Sequence, residues 1–252
     1  ESVLTNVVGA QSVIDAVNIV SPPSLKAMLF VSTDKACSPV NVYGMCKALS
    51  ERIVTSQASS GLKGVKYLAV RYGNVLESRG SIIPLFRYQA ENAEALTVTD
   101  PNMTRFVMTL DDSVDLIMKA IEHGASGSTW IPRLKSMKIG DLAQIFSERH
   151  KKPIKVVGLR PGEKMHEDLI NETESIRTFE ATGPGRGYYV IEQSTSPFNG
   201  GKKFAYTSAD DVMSKDELEK HLSSLGIIDM SLEQFKGLAI EEIRTKGKRT
   251  AK

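Results

Sequence analysis

The chain contains 252 residues, of which 41% are hydrophobic and 25% are charged, and its net charge at pH 7 is +2. These values are typical of a globular protein with a sizeable core, and the charge favours neither nucleic acid nor a membrane surface as a partner. The sequence has no run near the roughly eighteen apolar residues of a membrane span, and we identify no signal peptide. Cys37 and Cys46 lack metal-ligand spacing with any histidine, so we expect reduced thiols, no metal and a cytoplasmic location.

Helical and strand patterns alternate along the first third of the chain. Apolar residues at helical spacing predict a helix over 1–20, which Ser21-Pro22-Pro23 ends. The apolar run Met28–Val31 predicts a buried strand, a second helix begins near Tyr43, and Val65–Arg71 predicts a second buried strand. This order indicates an α/β fold with a parallel sheet.

The remaining patterns continue this alternation. They predict helices over 82–93, 113–122, 139–150 and 215–225, and strands over 96–99, 103–108, 128–132, 154–158, 177–181 and 187–191. Asp111 and Asp112 are predicted to cap the helix that starts at 113. Residues 194–203 are predicted to be a loop and 246–252 a basic, solvated tail.

Reactive side chains are concentrated where the first strand ends. Thr33, Asp34 and Lys35 follow the strand directly, while Tyr43 and Lys47 stand four residues apart at the start of a helix. One helical turn places this tyrosine and lysine on the same face, where the ammonium favours the phenolate form and prepares the tyrosine to accept a proton. The alternative is a surface tyrosine beside a solvated lysine.

A second polar segment follows the Val65–Arg71 strand. It begins with Tyr72-Gly73-Asn74-Val75 and continues to Arg79 and Ser81. The glycine permits close backbone approach to a ligand, the asparagine can donate a hydrogen bond, and the arginine supplies charge. Ordinary turns are the alternative interpretation.

Two arginines further along the chain are candidates for binding an anion. Arg105 lies in an otherwise apolar strand, which is costly unless its charge meets a phosphate, with a solvated edge strand as the alternative. Residues 160–167 read RPGEKMHE, in which the fork of Arg160 suits a pyrophosphate and Glu163 can accept from sugar hydroxyls. A charged surface turn is the alternative, and we interpret His166 as structural.

Together these motifs resemble the extended type of the short-chain dehydrogenase/reductase family. Within it, Thr-Asp-Lys-Ala from Thr33, the later Tyr-Gly-x-x-Lys from Tyr43, and the RPGEKMHE segment resemble the inverting UDP-N-acetylglucosamine 4,6-dehydratases of polysaccharide biosynthesis. The resemblance implies a Rossmann-type parallel sheet, the C-terminal part of the family fold, with a small α/β substrate-binding domain. It also implies a partial Rossmann domain over 1–78 and a substrate-binding region, interleaved with Rossmann elements, over 79–245.

The resemblance further implies a role for each candidate residue. It implies NADP, or else NAD, as cofactor, a UDP-sugar as substrate, and a homo-oligomer that binds neither nucleic acid nor membrane. The implied catalytic residues are Thr33, Asp34, Lys35, Tyr43 and Lys47. The implied cofactor-binding residues are Tyr43, Lys47, Tyr72, Gly73, Asn74 and Val75. The implied substrate-binding residues are Asn74, Arg79, Ser81, Arg105, Arg160 and Glu163.

One family motif is missing from the sequence. The chain lacks the Gly-x-x-Gly-x-x-Gly fingerprint, whose glycines let backbone and a helix N-terminus approach the cofactor's pyrophosphate. We therefore expect the N-terminal part of the family fold to be absent, which leaves independent cofactor binding open. Two other functions also stay open: a UDP-hexose 4-epimerase, which needs no acid–base pair for elimination, and an inactive module that binds a nucleotide sugar.

Overall fold

The computed structural model of the chain describes residues 1–78, 80–181, 187–193 and 203–228. A π-helical segment over Val3–Val8 runs into the first of the helices, which are α1 (Gly9–Val20), α2 (Val42–Ser60), α3 (Ile82–Asn92), α4 (Leu110–His123), α5 (Ile139–His150), α6 (Glu172–Ser175) and α7 (Lys215–Ser224). The strands are β1 (Ala27–Val31), β2 (Lys66–Val70), β3 (Leu96–Val98), β4 (Thr104–Phe106), β5 (Thr129–Pro132), β6 (Ser136–Lys138), β7 (Ile154–Val156), β8 (Asp168–Ile170), β9 (Thr178–Ala181), β10 (Tyr188–Ile191) and β11 (Tyr206–Thr207).

These elements fall into two compact units. Unit 1 comprises Glu1–Gly73, Leu110–Leu134 and Glu167–Thr207, and unit 2 comprises Asn74–Thr109, Lys135–His166 and Ser208–Lys252. Each unit is built from segments that are distant in the sequence. The division near residue 78 into a cofactor domain and a substrate-binding region stays a prediction.

Unit 1 contains a sheet with the strand order β1-β2-β5-β10-β9. Strand β2 pairs in parallel with both β1 and β5, and β10 runs antiparallel to β5 and β9. The prediction of an α/β fold with a parallel sheet is therefore confirmed. Strand β2 is buried after Lys66, but the side chains of β1 are only partly buried, contrary to the prediction. The reason is that β1 pairs with a single neighbour among the described strands.

The N-terminal helix is tied to α2 by side-chain hydrogen bonds. In the π-helical segment, Asn6 Nδ2 donates to the Ser2 carbonyl oxygen over 3.0 Å. The hydroxyl of Ser50 on α2 donates to the Asn6 carbonyl oxygen over 2.9 Å and so reaches a backbone group that the wider π-helical turn exposes. Asn6 therefore supports this irregular helix geometry.

Residues Val3–Val20 are long and apolar enough to cross a membrane by length and composition alone. The 18-residue window has a mean hydropathy of 1.4, and 6% of it is buried. This is weak evidence, because core helices of soluble proteins and signal sequences pass the same test. The sequence analysis considered only uninterrupted apolar runs and expected no membrane-spanning segment. The hydropathy of Val3–Val20 limits that expectation.

Unit 2 is organised around an apolar core between α3, α5 and α7. Phe86 of α3 and Phe146 of α5 pack with ring centroids 5.7 Å apart, and both rings are fully buried. Strands β3 and β7 pair in parallel, and β4 and β6 pair antiparallel. The helical periodicity of these segments therefore buries one face of each helix in a shared core.

The structure corrects several local predictions. Helix α4 begins at Leu110, so Asp111 and Asp112 lie in its first turn instead of capping it, where their charges favour the helix dipole. The short elements β6, β8, α6 and β11 were not predicted, because two to four residues carry no readable periodicity. The sequence also indicates a glycine-rich turn over 183–185 and a weakly periodic segment to 243. Both of these, most of the 194–203 loop and the basic tail lie outside the described residues.

A buried arginine joins three parts of unit 1. The Arg71 guanidinium, at the end of β2, donates to both oxygens of Glu51 on α2 and both oxygens of Glu174 on α6, over 2.5 to 3.2 Å. It also donates to the carbonyl oxygen of Leu169 over 2.9 Å. Arg71 is 3% exposed and the two carboxylates are almost as deeply buried. The ion pairs therefore act without competition from water.

The same network controls a neighbouring thiol. Cys37 Sγ donates to Glu174 Oε2 over 3.5 Å, and burial raises the pKa of the Cys37 thiol to about 12. Burial also acts to raise the pKa of Glu174, but the hydrogen bonds and charge of Arg71 outweigh it and hold that pKa below its ordinary value of 4.5. At neutral pH Glu174 is thus a carboxylate that accepts a hydrogen bond from the neutral thiol of Cys37.

Replacing Arg71 with Met should destabilise the protein by about 3–5 kcal/mol, because two buried carboxylates lose their counter-charge. The matched control is Arg133→Met, which removes an exposed ion pair with Glu180 and should cost less than about 1 kcal/mol. Urea unfolding followed by circular dichroism measures both. Equal midpoints for the two variants would contradict the central role of Arg71.

Replacing Glu174 with Gln should flatten the acid limb of the stability profile. A carboxyl whose folded pKa is lowered stabilises the protein above its unfolded pKa, and this stabilisation is lost as pH falls through the folded value. Melting temperatures measured from about pH 6 to about pH 3 test this. The exposed Glu180→Gln serves as control and should keep the wild-type slope. A Glu174→Gln profile parallel to wild type would exclude this linkage.

Candidate functional site

Thr33, Asp34 and Lys35 form a hydrogen-bonded cluster at the end of β1. Asp34 Oδ1 accepts from Thr33 Oγ1 over 2.8 Å and from Lys35 Nζ over 2.9 Å. Asp34 is fully buried, while the side chain of Lys35 is 34% exposed. Asp34 Oδ2 has no hydrogen-bond partner among the described residues. The cluster thus combines a buried carboxyl that has one oxygen available with an amine that reaches the surface.

Backbone contacts fix this cluster in place. Asp34 N donates to the Tyr72 carbonyl oxygen over 3.0 Å, which joins the ends of β1 and β2. Helix α2 begins next to the cluster, where Asn41 Oδ1 accepts from Gly44 N over 2.9 Å as an N-cap. A Cβ at Gly44 would lie 2.2 Å from the Lys35 carbonyl oxygen. Only glycine therefore lets α2 approach the Asp34–Lys35 turn this closely.

Tyr43 and Lys47 lie on the first two turns of α2. Tyr43 is 45% exposed, so its hydroxyl is accessible to a ligand. Lys47 Nζ donates to the Val31 carbonyl oxygen over 2.6 Å and lies 4.2 Å from the centroid of the Phe30 ring. Burial lowers the pKa of Lys47 from its ordinary value, against the charge of Glu51, which raises it. Lys47 is thus a fixed and partly desolvated ammonium.

Tyr72 is half-buried next to these groups in unit 1. Burial raises its pKa, a hydrogen bond with Ser113 lowers it, and the charge of Tyr43 raises it. The hydroxyl therefore remains protonated at neutral pH.

The predicted substrate-binding residues belong to unit 2, where four of them line one cavity. The cavity has a volume of about 160 Å³, and its polar wall includes Asn74, Ser81, Arg105 and Glu163. Asn74 Oδ1 and Ser81 Oγ are buried and have no hydrogen-bond partner within the described parts of the chain. The apolar wall includes Leu76, Ile82, Met103, Met137 and Ile139.

Arg105 is a half-buried residue of β4, and its guanidinium contacts the 160–166 loop. Its guanidinium donates to the carbonyl oxygens of Thr104, Lys164 and Met165 over 2.7 to 3.2 Å. These contacts use N–H donors of the guanidinium that the sequence analysis expected to meet either an anion or solvent. The role of Arg105 as a phosphate or ribose ligand stays a prediction.

Of the other two predicted substrate ligands, one lies outside the cavity wall and one lies outside the described residues. Arg160 is exposed and is not part of the cavity wall, although its backbone N donates to Glu163 Oε2 over 3.4 Å. Arg79 lies outside the described residues. Gly73 is buried, and Val75 forms a bridge with Met108. The structure thus unites Asn74, Ser81, Arg105 and Glu163, and it leaves the pyrophosphate role of Arg160 a prediction.

Sequence reasoning missed three residues that support the catalytic segment of unit 1. Gly44 provides the close approach of α2, and Glu51 and Arg71 hold that helix against β2. The sequence does contain a feature that marks each of Glu51 and Arg71, since Glu51 follows Lys47 at helical spacing and Arg71 ends a buried strand. Neither feature shows that the two charges meet, because they are twenty positions apart.

The chain matches the family of polysaccharide biosynthesis proteins over residues 1–184. It belongs to this family, which lies within the extended short-chain dehydrogenases/reductases, as the motifs around Tyr43 and Arg160 indicated. The family assignment covers almost three quarters of the chain, including every predicted site residue.

Two curated relatives show the range of activities among similar proteins. The chain is 39% identical over 196 residues to the inverting UDP-N-acetylglucosamine 4,6-dehydratase of Campylobacter jejuni, which covers 77% of this chain and 56% of the relative. It is 36% identical over 231 residues to the UDP-glucose 4-epimerase of Rickettsia typhi, covering 90% of this chain and 65% of that protein. The chain thus spans little more than half of the dehydratase and less than two thirds of the epimerase.

Solved structures agree with this fold. The X-ray structure of Pen from Bacillus thuringiensis superposes with a TM-score of 0.78 at 35% identity, covering 88% of this chain and 68% of that one. A mutant of the UDP-glucuronic acid 4-epimerase from Bacillus cereus, in complex with a UDP-sugar analogue and NAD, superposes with a TM-score of 0.54 at 18% identity. The latter covers 64% of this chain and 57% of that one, and it supports the Rossmann-type fold alone.

Replacing Gly44 with Ala should destabilise the protein by about 1–3 kcal/mol, because the new methyl group would overlap the Lys35 carbonyl oxygen. Gly9→Ala is the matched control, since its Cβ would meet only the Leu4 carbonyl oxygen at an ordinary 3.7 Å. That control should be neutral or stabilising, because alanine favours helix. Thermal melts measure both variants, and an unchanged melting temperature for Gly44→Ala would refute the close contact.

Proposed function

We propose that this protein is a nucleotide-sugar 4,6-dehydratase that converts UDP-N-acetylglucosamine to a UDP-4-keto-6-deoxy-hexosamine. The observation that carries the proposal is the buried Asp34 carboxyl, hydrogen-bonded to Thr33 and Lys35. Elimination of water from a sugar requires both a base and an acid, and this pair supplies both. The relative from Campylobacter jejuni is the corresponding enzyme, and the chain covers 56% of its length.

The cavity of unit 2 supports a nucleotide-sugar substrate. Asn74 Oδ1 and Ser81 Oγ lack partners among the described residues, which is costly for buried polar atoms unless a ligand or water satisfies them. Arg105 adds positive charge and Glu163 adds an acceptor. At about 160 Å³, the cavity is smaller than the roughly 300–1,000 Å³ of sites for whole ligands, so it suits one portion of the UDP-sugar.

The residues of unit 1 fit the ribose and nicotinamide half of a cofactor. Tyr43 has an accessible hydroxyl, and Lys47 uses one of its three N–H donors on Val31, which leaves two for ribose hydroxyls. A nicotinamide held by these residues would supply reversible hydride transfer. NADP is the cofactor we propose, with NAD as the alternative, since residues that select between them are absent from the motifs found here.

The acid–base roles follow from the contacts at the end of β1. Tyr43, with the Lys47 ammonium on the same helix, takes the proton of the sugar 4-hydroxyl, and Thr33 steadies that oxygen. The 4-keto group acidifies C5, from which Lys35 takes a proton. Asp34 protonates the departing 6-hydroxyl, which leaves as water. The proton taken from O4 balances the proton given to water, and a proton returns to C5 when hydride reaches C6.

The Asp34–Lys35 contact explains how one pair can serve both steps. A carboxylate with an ammonium and a carboxylic acid with an amine contain the same number of protons, and transfer across 2.9 Å interconverts them. The neutral form is the reactive one, because it presents a neutral amine to C5 and an acid to the leaving group.

A UDP-hexose 4-epimerase is the second candidate, supported by the rickettsial relatives. Such an enzyme uses the tyrosine and lysine but needs no acid–base pair for elimination, which leaves Asp34 and Lys35 without a chemical role. An inactive module that binds a nucleotide sugar is the third candidate. These functions differ in product: loss of water, an isomer of equal mass, or no change.

We further propose a cytoplasmic homo-oligomer. The support is an apolar stripe of exposed residues on α2, formed by Val42, Met45 and Leu49 at positions i, i+3 and i+7. Exposed apolar stripes of this kind favour packing against another helix.

Replacing Lys35 with Ala should abolish loss of water from UDP-N-acetylglucosamine while leaving substrate affinity within about threefold, because the base is removed and the unit 2 cavity is untouched. Mass spectrometry of the nucleotide sugar after incubation with NADP+ measures turnover, and calorimetry measures affinity. The exposed Lys63→Ala is the control and should behave as wild type.

The product found in this assay distinguishes the three candidate functions. Loss of water by wild type supports the dehydratase, and unchanged turnover by Lys35→Ala would eliminate Lys35 as the base. An isomer of equal mass indicates the epimerase instead. Binding without any product indicates the binding module.

A further inference from the structure

His166 ends a chain of short hydrogen bonds inside unit 2. Its Nδ1 lies 2.8 Å from Thr104 Oγ1 on β4, and Thr104 Oγ1 lies 2.7 Å from Ser208 Oγ. Ser208 Oγ in turn donates to the Thr104 carbonyl oxygen over 3.1 Å. Thr104 and Ser208 are 2% and 0% exposed, so water does not compete for either hydroxyl.

The hydroxyl protons of this chain can be arranged in two directions. If Ser208 donates to the Thr104 carbonyl oxygen, Thr104 donates to Ser208 Oγ and His166 donates from Nδ1. If Ser208 donates to Thr104 Oγ1, Thr104 donates to His166 Nδ1, and the Thr104 carbonyl oxygen keeps its hydrogen bond from Arg105. In both directions Thr104 and His166 are joined by a hydrogen bond.

From this chain we propose that His166 is a positioning residue, which is hydrogen-bonded through Nδ1 to Thr104 Oγ1 and so holds the 160–166 loop against β4. One backbone hydrogen bond already joins the loop to β4, since Thr104 N donates to the Met165 carbonyl oxygen over 3.0 Å. The imidazole adds a second attachment one residue further along, through the side chain of the same threonine.

The position of this attachment connects it to the ligand cavity. Arg105, the next residue on β4, donates to the carbonyl oxygens of Lys164 and Met165, and Glu163 precedes them. Both Arg105 and Glu163 line the cavity of unit 2. Loss of the His166 bond should therefore loosen the carbonyl groups that orient Arg105 and so weaken ligand binding. The last step rests on the proposed function, since it takes UDP as the ligand.

The first experiment measures the loop without any ligand. The variants His166→Asn and His166→Gln differ in reach, because an asparagine amide overlies Nδ1 and a glutamine amide overlies Nε2. We expect Thr104→Val to shift the nitrogen-15 resonance of His166 Nδ1, because it removes the hydrogen-bond partner of that atom. Amide exchange in 163–166 should rise in His166→Gln but stay near wild type in His166→Asn. An Nδ1 resonance that Thr104→Val leaves unchanged, or equal exchange in both variants, would overturn the proposal.

The second experiment measures the affinity for UDP by calorimetry. His166→Gln should bind about tenfold more weakly, the effect of one lost hydrogen bond, and His166→Asn should stay within about threefold of wild type. Wild-type binding with no difference between the variants overturns the effect on the ligand. If wild type does not bind UDP, the proposed substrate is wrong, and the exchange experiment still decides the role of His166.

Discussion

Unit 1 depends on a single guanidinium buried between two carboxylates. Arg71 sits at the point where β2 ends and the Tyr72–Gly73 segment begins, so any movement of the arginine moves that segment. Glu51 lies one helical turn beyond Lys47 on α2. Its ion pair with Arg71 therefore fixes the rotation of the helix that presents Tyr43. A buried ion pair of this kind adds little to stability against an apolar equivalent, but it tolerates only one geometry. We infer that orientation, more than stability, is what the network provides.

The sequence predicted most of the long elements because they repeat a pattern over many residues. Helix α5 was predicted at its observed bounds, and the bounds of β1 and β2 and the start of α2 were each predicted within one residue. Pattern analysis failed at β6 and β8, which have three residues each, and at Asp111, where a capping residue and a first-turn residue have the same chemistry. The burial of β1 was also overestimated, because an apolar run does not reveal how many neighbours a strand has.

The candidate site was also predicted only in part. Motifs located Thr33, Asp34, Lys35, Tyr43 and Lys47, since these residues are adjacent or at helical spacing. They also located Asn74, Ser81, Arg105 and Glu163, but only the tertiary structure shows that those four share a cavity. The carbonyl partners of Arg105 were beyond prediction, because a sequence does not say which backbone groups a loop turns inward.

The unsatisfied oxygens of Asn74 and Ser81 have a consequence for selectivity. A ligand that donates to Asn74 Oδ1 and donates to or accepts from Ser81 Oγ gains buried hydrogen bonds, whereas a ligand of the same shape that cannot make these bonds must strip water from both oxygens and replace it with nothing. The cavity can therefore reject molecules that fit its shape. In a cell rich in phosphorylated sugars and free nucleotides, discrimination would arise from the cost imposed on wrong ligands as much as from attraction to the right one.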